Sequence, residues 1–528
     1  MTQQTQTIPL VKEARNMVHA VIVIRRFVLR FDSHFRLART AGPLLAATGC
    51  CFCLATLTGC ARVETSRDYG NVAERVSEAT GAPAEVWPDD DTVLERQVSA
   101  LMEGGLTSDN AVRLALLNHP RLRAAYYRVG IARADVVQSR LFSNPMLAMS
   151  LRFPDSGGLA NLMLDVTQNI SDLWQLPIRA RGAEHAMQQT LLDVARELSA
   201  TALEAKATYY RAAASDRLAE LAAENLAVAQ RLLDTAQARL EAGAGSAVEV
   251  YLARSEVYDA ELALKQAQLT AFLSRRDLAV LLGLTDRPAE LRLAEALPTG
   301  AVTIPGVEAF EEVAMKSRLD LLAAEQAVQA AREAVDLERV RVVPMVQAGM
   351  SLEREARRRG ATSDATGFGT GGAGGAVERW RMKDKGEGQA SVIGPSIGAT
   401  LPLFDQNQAG IARSEFMLRQ TELTAESLRR QVVQDVRGAY ESVDVAYFNA
   451  GLYRDQVLPL RETNLELSLE GYRAGKIGFL SVVEAQRALL MARGRHIEAL
   501  QAAATAITEL ERVTGKPLKE VTKGESGE

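Results

Sequence analysis

Cysteine is scarce in this chain of 528 residues: the four present, Cys50, Cys51, Cys53 and Cys60, all fall within the first sixty positions. No disulfide framework can hold the rest, so the fold has to rest on apolar burial and helix packing, which this length permits. A charge excess is lacking too, with 61 Lys and Arg against 66 Asp and Glu for a net charge of -5. That balance excludes the concentrated basic face expected of a nucleic-acid binder. After Cys60 no run of about eighteen consecutive apolar residues occurs, which excludes a transmembrane helix. Any part that crosses a bilayer must do so as strands closed into a barrel, because lipid tolerates no unpaired backbone groups. Catalytic constellations are missing as well. His119, His185 and His496 have no ligand-spaced partners, and Gly471-x-x-x-Gly475-Lys476 is one residue short of a phosphate-binding loop and lacks its Ser or Thr. No metal site is expected, and an enzyme is the least favoured class.

The N-terminus reads as an export signal over residues 1–59. Arg25, Arg26, Arg30, Arg36 and Arg39 form a basic leader, and Pro43 to Leu57 an apolar stretch too short to anchor. It ends in Leu57-Thr58-Gly59-Cys60, which resembles the lipobox of bacterial lipoproteins. The resemblance implies cleavage before Cys60 and a covalent lipid on its thiol, the one non-protein group expected. Cys50, after Ala47-Thr48-Gly49, is a poorer candidate without the large aliphatic residue. Ala61 rather than Asp after the Cys favours the outer membrane, by similarity to sorted lipoproteins. Residues 60–105 then read as a lipidated linker.

Self-comparison reveals a tandem duplication. Asn118 to Ala125 aligns with Ser317 to Ala324 at an offset of 199, which also pairs Pro145 with Pro344. Further on the offset becomes 232, pairing Ala242-Gly243 with Ala474-Gly475 and Gly283 with Gly515, so the second copy carries 33 extra residues. These fall in a Gly-rich stretch at about 355–390 that reads as a long exposed loop. It contains Gly367-x-Gly369-x-x-Gly372, but no strand leads in and no amphipathic helix follows at once, which argues against a dinucleotide site. The repeats span 106–300 and 301–515, before a polar tail over 516–528. Each reads as helix, strand, loop, strand, very long helix, tight turn, helix. The first helices are expected at about 107–143 and 307–343, and the long ones at about 173–241 and 404–473.

The strands alternate with period two: Leu147, Met149, Leu151 and Phe153 against Ala148, Ser150 and Arg152 in one, and Val346, Ala348, Met350 and Leu352 against Gln347, Gly349, Ser351 and Glu353 in another. Four strands cannot close a barrel, whereas three copies would supply twelve. The aromatic share of 5% is thin for a barrel with interfacial girdles. Met146, Met149, Met163, Met345 and Met350 near the strands read as apolar filling rather than soft-metal ligands. In the second long helix Val432, Val436, Ala439, Val443, Ala446, Ala450, Tyr453, Val457, Leu460, Asn464 and Leu467 follow the four-and-three steps of a coiled-coil seam, with Pro459 expected to kink it.

Asn144-Pro145, Leu401-Pro402-Leu403-Phe404, Val457-Leu458-Pro459, Gly471-Tyr472-Arg473-Ala474-Gly475-Lys476 and Val482-Val483-Glu484-Ala485-Gln486, set in this duplicated order, resemble the TolC-type outer-membrane efflux proteins over nearly all of 106–515. The resemblance implies a mainly α fold with a small β part: a homotrimer with a twelve-stranded β-barrel in the outer membrane and a twelve-helix periplasmic tunnel. It further implies a passive duct partnered by a periplasmic adaptor and an inner-membrane pump of the resistance-nodulation-division or ABC type. Adaptor docking is expected at the hairpin tips Ala242, Gly243, Ala244 and Ala474, Gly475, Lys476, where Gly supplies the positive φ that reverses the chain. The family places a pore constriction nearby. Here Glu249 and Glu484 are read as matching positions, Ser481 stands where an acid is common, Tyr472 matches a gating tyrosine, and its usual Arg partner falls on Ile477. Glu85-Val86-Trp87 and Leu116-Leu117-Asn118-His119-Pro120 are similar to the heavy-metal branch, which implies metal-cation export. Drug or protein export through the same duct, and a coiled-coil spacer or adaptor lipoprotein without a pore, are the rival readings.

Overall fold

The structure, a computed structural model, describes residues 62–84, 91–153, 160–284, 291–300, 304–343, 345–356 and 389–526. Cys60 with its leader, and the Gly-rich core of the insertion, lie outside the described residues. The expected linker is helical in two places, α1 (Ser66–Thr80) and α2 (Asp91–Met102). Val72 and Val76 of α1 are fully buried, and its Asp68 accepts from Arg133 Nε and Nη2 at 2.6 and 2.5 Å.

Each repeat's first helix proves to be two. α3 (Ser108–Asn118) starts where the Thr107 hydroxyl accepts from Asn110 N, and α4 (Pro120–Ser139) starts where the His119 ring accepts from Arg121 N. Pro120 cannot continue a helix but suits its first turn, which divides the expected element. In the second repeat α7 (Val307–Ser317) and α8 (Leu319–Val340), numbered after the long pair below, part at Arg318, which is extended. The Arg318 guanidinium is held there by Asp320 at 2.6 Å and Asp435 at 3.0 Å.

β1 (Met146–Arg152), β2 (Asn161–Asn169), β3 (Val346–Ala356) and β4 (Gln389–Ala399) form one antiparallel sheet in chain order. Its register sorts the faces cleanly. Leu147, Val166, Met350 and Pro395 stand in one row and Met149, Leu164, Leu352 and Ile393 in the next, whereas Ala148, Asp165, Ser351 and Gly394 share the opposite face. Leu147, Met149, Met350 and Ile393 are exposed, so in the isolated chain the apolar face is bare. β1 and β4 are the open edges among the described residues.

Between the sheet halves run α5 (Asp172–Glu241), 70 residues and roughly 105 Å long, and α6 (Ala247–Leu281). The second repeat has α9 (Gln408–Leu452), a π turn (Tyr453–Val457), α10 (Leu458–Arg473) and α11 (Phe479–Thr514), followed by a short α12 (Leu518–Ser526) in the expected tail. α8 and α9 run antiparallel with ion pairs at heptad steps: Glu325 with Arg429, Arg332 with Glu422 and Arg339 with Glu415, at 2.7, 3.5 and 2.8 Å. Mostly exposed, each contributes at most about 1 kcal/mol, so they set register more than stability.

The expected seam holds only in part. Val432, Val436, Ala439, Val443, Ala446 and Ala450 are buried, but Leu460 and Leu467 are exposed at 67% and 62%. The π turn adds a residue to one turn and so rotates everything after it by about 100°. Leu465, Leu469 and Tyr472 then take over the inward stripe. Pro459 thus acts through this widened turn rather than through a break.

Candidate functional site at the hairpin tips

Both hairpins reverse through the same hydrogen-bond pattern. Gly243 N donates to Leu240 O and Ala244 N to Arg239 O, at 3.0 and 2.9 Å; Gly475 N donates to Tyr472 O and Lys476 N to Gly471 O, at 3.0 and 2.8 Å. This double closure needs a left-handed residue just past the cap, and Gly243 and Gly475 both sit at φ 70°. A side chain at either would meet nothing within 4 Å, so conformation rather than crowding demands glycine. Ala242, Gly243, Ala244, Ala474, Gly475 and Lys476 are all exposed, two blunt ends without bulky side chains except one lysine.

Just behind the turns the hairpins join. Tyr472 is 3% exposed, packed with Ala236, Val250, Ala253, Phe479, Val482 and Val483. Its hydroxyl donates to Glu249 Oε2 at 3.1 Å across the two hairpins. Burial pushes the phenol above its ordinary value, the Glu249 bond and charge push the same way, and Arg239 offsets them in part. Glu249 is the third residue of α6, whose cap is Ser246 accepting from Glu249 N. The helix start favours its charge there, and its carboxylate bonds Tyr472 in the opposite hairpin.

The residue that sequence reasoning missed is Arg239. Its guanidinium carbon lies 4.5 Å from the Tyr472 ring centroid, Nη1 donates to Tyr472 O at 3.4 Å and Nη2 to Ala244 O at 3.1 Å. One side chain thereby touches both turns and covers the tyrosine. The repeat gives no hint of this, because the counterpart of Arg239 is Gly471. The signal available was only a cation in the last turn before the first reversal.

Ser481 and Glu484 do not join this cluster. Both are exposed on one face of α11. By helix position Glu249 corresponds to Ser481, the third residue of α11, while Glu484 lies about a turn further in, so the two glutamates are not equivalent. Ile477 packs against the cluster as an apolar side chain. His185 Nδ1 lies 2.9 Å from Gln326 Oε1 and His119 caps α4, both structural tasks. Met149 and Met350 fall on the apolar sheet face and Met163 on the other, which separates them. Among the described residues no group of three or more His, Cys, Asp or Glu could hold a metal ion, and no helix is long and apolar enough to cross a membrane.

A bare apolar sheet, helices of tunnel length and a clasp between two blunt hairpin ends define a channel subunit rather than a catalyst. The family of outer membrane efflux proteins matches residues 111–284 and 312–516, once in each repeat, and the chain belongs to that family. It is an outer-membrane efflux channel and not an enzyme. It is 26% identical over 430 residues to the cobalt-zinc-cadmium resistance protein CzcC of Cupriavidus metallidurans, a match covering 78% of this chain and 91% of CzcC. Among solved structures it is similar to CusC, at TM-score 0.61 and 16% identity, covering 77% of this chain and 91% of CusC. It is also similar to the outer membrane protein VceC of Vibrio cholerae, at TM-score 0.61 and 17% identity, covering 78% and 96% of the two chains.

Proposed function

We propose that this chain is one protomer of a homotrimeric duct that exports metal cations across the periplasm and outer membrane, anchored by a lipid on Cys60. The observation that carries the trimer is incompleteness: a four-stranded sheet with two open edges and a bare apolar face cannot stand alone in lipid or in water. Matching apolar stripes lie on the helices. Tyr251, Tyr258, Leu262, Leu269 and Phe272 are exposed along α6, and Phe416, Leu423, Val445 and Phe448 along α9. A head-to-tail ring that sets one stripe against the other covers both and closes the barrel together.

In this reading the hairpin tips meet a periplasmic adaptor, which joins the duct to an energised inner-membrane pump. The narrowed end then lies just behind the tips, with Glu249, Ser481 and Glu484 toward the pore and Tyr472 buried behind them as the tie between hairpins, so that threefold carboxylates raise the local cation concentration. Similarity to a cobalt-zinc-cadmium resistance protein supports metal cations as cargo. Crosslinking in native membranes is expected to stop at trimers, and a purely monomeric result overturns the reading. Labelling with a lipid precursor is expected to vanish in Cys60→Ala; persistent label places the anchor elsewhere.

A further inference from the structure

The duplication builds the same corner twice. In the first repeat Asn118 Nδ2, at the end of α3, donates to Leu282 O at the end of α6 at 2.9 Å. Gly283, at φ 69°, backs onto Asn118 O so closely that any side chain there would strike it. In the second repeat Ser317 Oγ donates to Thr514 O at the end of α11 at 2.8 Å, and Gly515, at φ 74°, backs onto Ser317 O. The repeat offsets of 199 and 232 pair Asn118 with Ser317, Leu282 with Thr514 and Gly283 with Gly515. Each corner therefore bolts the helix that leads to the sheet to the helix that returns from a hairpin tip.

The residue that turns the corner differs. Arg318 stands where the first repeat has His119, and both hold extended backbone, with ψ 119° and 117°. Arg318 carries a permanent charge, bridged by Asp320 on its own helix and by Asp435 on the long helix α9. His119 works instead as an uncharged cap. Its Nδ1 accepts from Arg121 N at 3.2 Å, which requires a lone pair on that nitrogen and the ring proton on Nε2. An imidazolium has no lone pair to offer.

The charged groups that bear on the ring are Arg121 on α4 and Glu204 on α5. α3 and α6 meet the corner through Asn118, Leu282 and Gly283, none of which titrates. Burial holds the imidazole below its ordinary value, Arg121 acts the same way, and a backbone hydrogen bond and Glu204 offset them in part. Leu203 is the repeat counterpart of Asp435, so Glu204 stands one position on from the acid that bridges Arg318. A cation for this corner thus has its partner in place on the long helix.

We propose that the first corner is an acid-sensitive joint: protonation of His119 withdraws the cap from Arg121 N and turns the imidazolium toward Glu204, loosening the start of α4 and its bolt to α6. The second corner, charged at every pH, stays shut. The neutral ring is the form the fold favours, so the cap's contribution is complete above the unfolded value of about 6.5 and is lost as pH falls through the lower folded one. An acidic compartment around this level therefore relaxes one repeat and not the other.

The test is hydrogen exchange of the full-length protein in lipid nanodiscs at about pH 7.5 and about pH 5, with rates corrected for the intrinsic pH dependence of amide exchange. Protection over residues 121–124 and 282–284 is expected to fall about fivefold at the lower pH, and that over 320–323 and 514–516 to stay level. His119→Asn, which keeps an acceptor at the cap without titrating, is expected to hold its protection at both values, and His119→Arg to be low at both. Glu204→Gln is expected to move the midpoint of the fall to lower pH, and serves if the His119 variants fail to assemble. Protection at the first corner that ignores pH, an equal fall at both corners, a fall that persists in His119→Asn, or a midpoint that Glu204→Gln leaves in place each overturns the proposal.

Discussion

Removing the Arg239 side chain separates the two hairpins of a protomer more than removing the hydroxyl of Tyr472. Arg239→Ala deletes a guanidinium 4.5 Å from the ring centroid and two hydrogen bonds to turn carbonyls, at 3.1 and 3.4 Å. At a half-buried position the cation–π contact contributes about 1 kcal/mol, and the bond to Tyr472 O, near the distance limit, adds about 0.5 kcal/mol across the hairpins, while the bond to Ala244 O lies within the first hairpin and does not count. The sum of about 1.5 kcal/mol per protomer shifts the clasp equilibrium roughly tenfold. Tyr472→Phe keeps the ring and the stacking and loses only the bond to Glu249, about 1 kcal/mol or roughly fivefold. The assay is single-channel conductance of purified trimers in planar bilayers, after crosslinking shows that assembly is intact. Open probability is expected to rise in the order wild type, Tyr472→Phe, Arg239→Ala. A double-mutant cycle sharpens this: Arg239→Ala and Tyr472→Ala share the stacking energy and couple by about 1 kcal/mol, whereas Arg239→Ala and Tyr472→Phe are nearly additive. Identical conductance for Arg239→Ala and wild type, in intact trimers, refutes the argument that this arginine ties the tips.

Three other outcomes follow from the geometry. Glu249→Gln with Glu484→Gln lowers the preference for cations measured by reversal potential, with Glu484→Gln alone leaving the clasp untouched because that side chain is exposed; unchanged selectivity removes both from the constriction. Lys206→Met, which leaves the nearly buried Glu511 carboxylate without its partner at 2.7 Å, destabilises the chain by about 3 kcal/mol in denaturant unfolding, and adding Glu511→Gln recovers most of it. Burial alone would raise the Asp320 carboxyl, but the Arg318 hydrogen bond and charge, with the Leu321 N–H, hold it below its ordinary value. Its stabilisation is therefore present above the unfolded value of about 4 and is lost as pH falls through the folded one, so Asp320→Asn flattens the loss of thermal stability below pH about 4.

The duplication, the strand alternation and the helical periods were legible in the residues, because those patterns are local and each commits a segment to one face. Val432 to Ala450 is buried as its spacing demands, and Gly243 and Gly475 reverse the chain as only glycine readily does. The same local logic failed where a long-range contact decided the outcome. Leu460 and Leu467 continue the seam on paper, yet the π turn rotates them outward. α1 sits in a stretch that reads as linker, and what orders it is contact with distant segments: Val72 and Val76 buried in the core, and Arg133, 65 residues away, on Asp68. The pairing of Tyr472 with Glu249 joins positions 223 apart, and Arg239 completes it from a helix whose repeat counterpart is a glycine. Sequence by itself determined which segments are rods, strands and turns, since period and turn chemistry act within a few residues. Only the tertiary structure decided which ends meet, because contact between distant segments depends on how whole helices are rotated and where one extra residue shifts their faces.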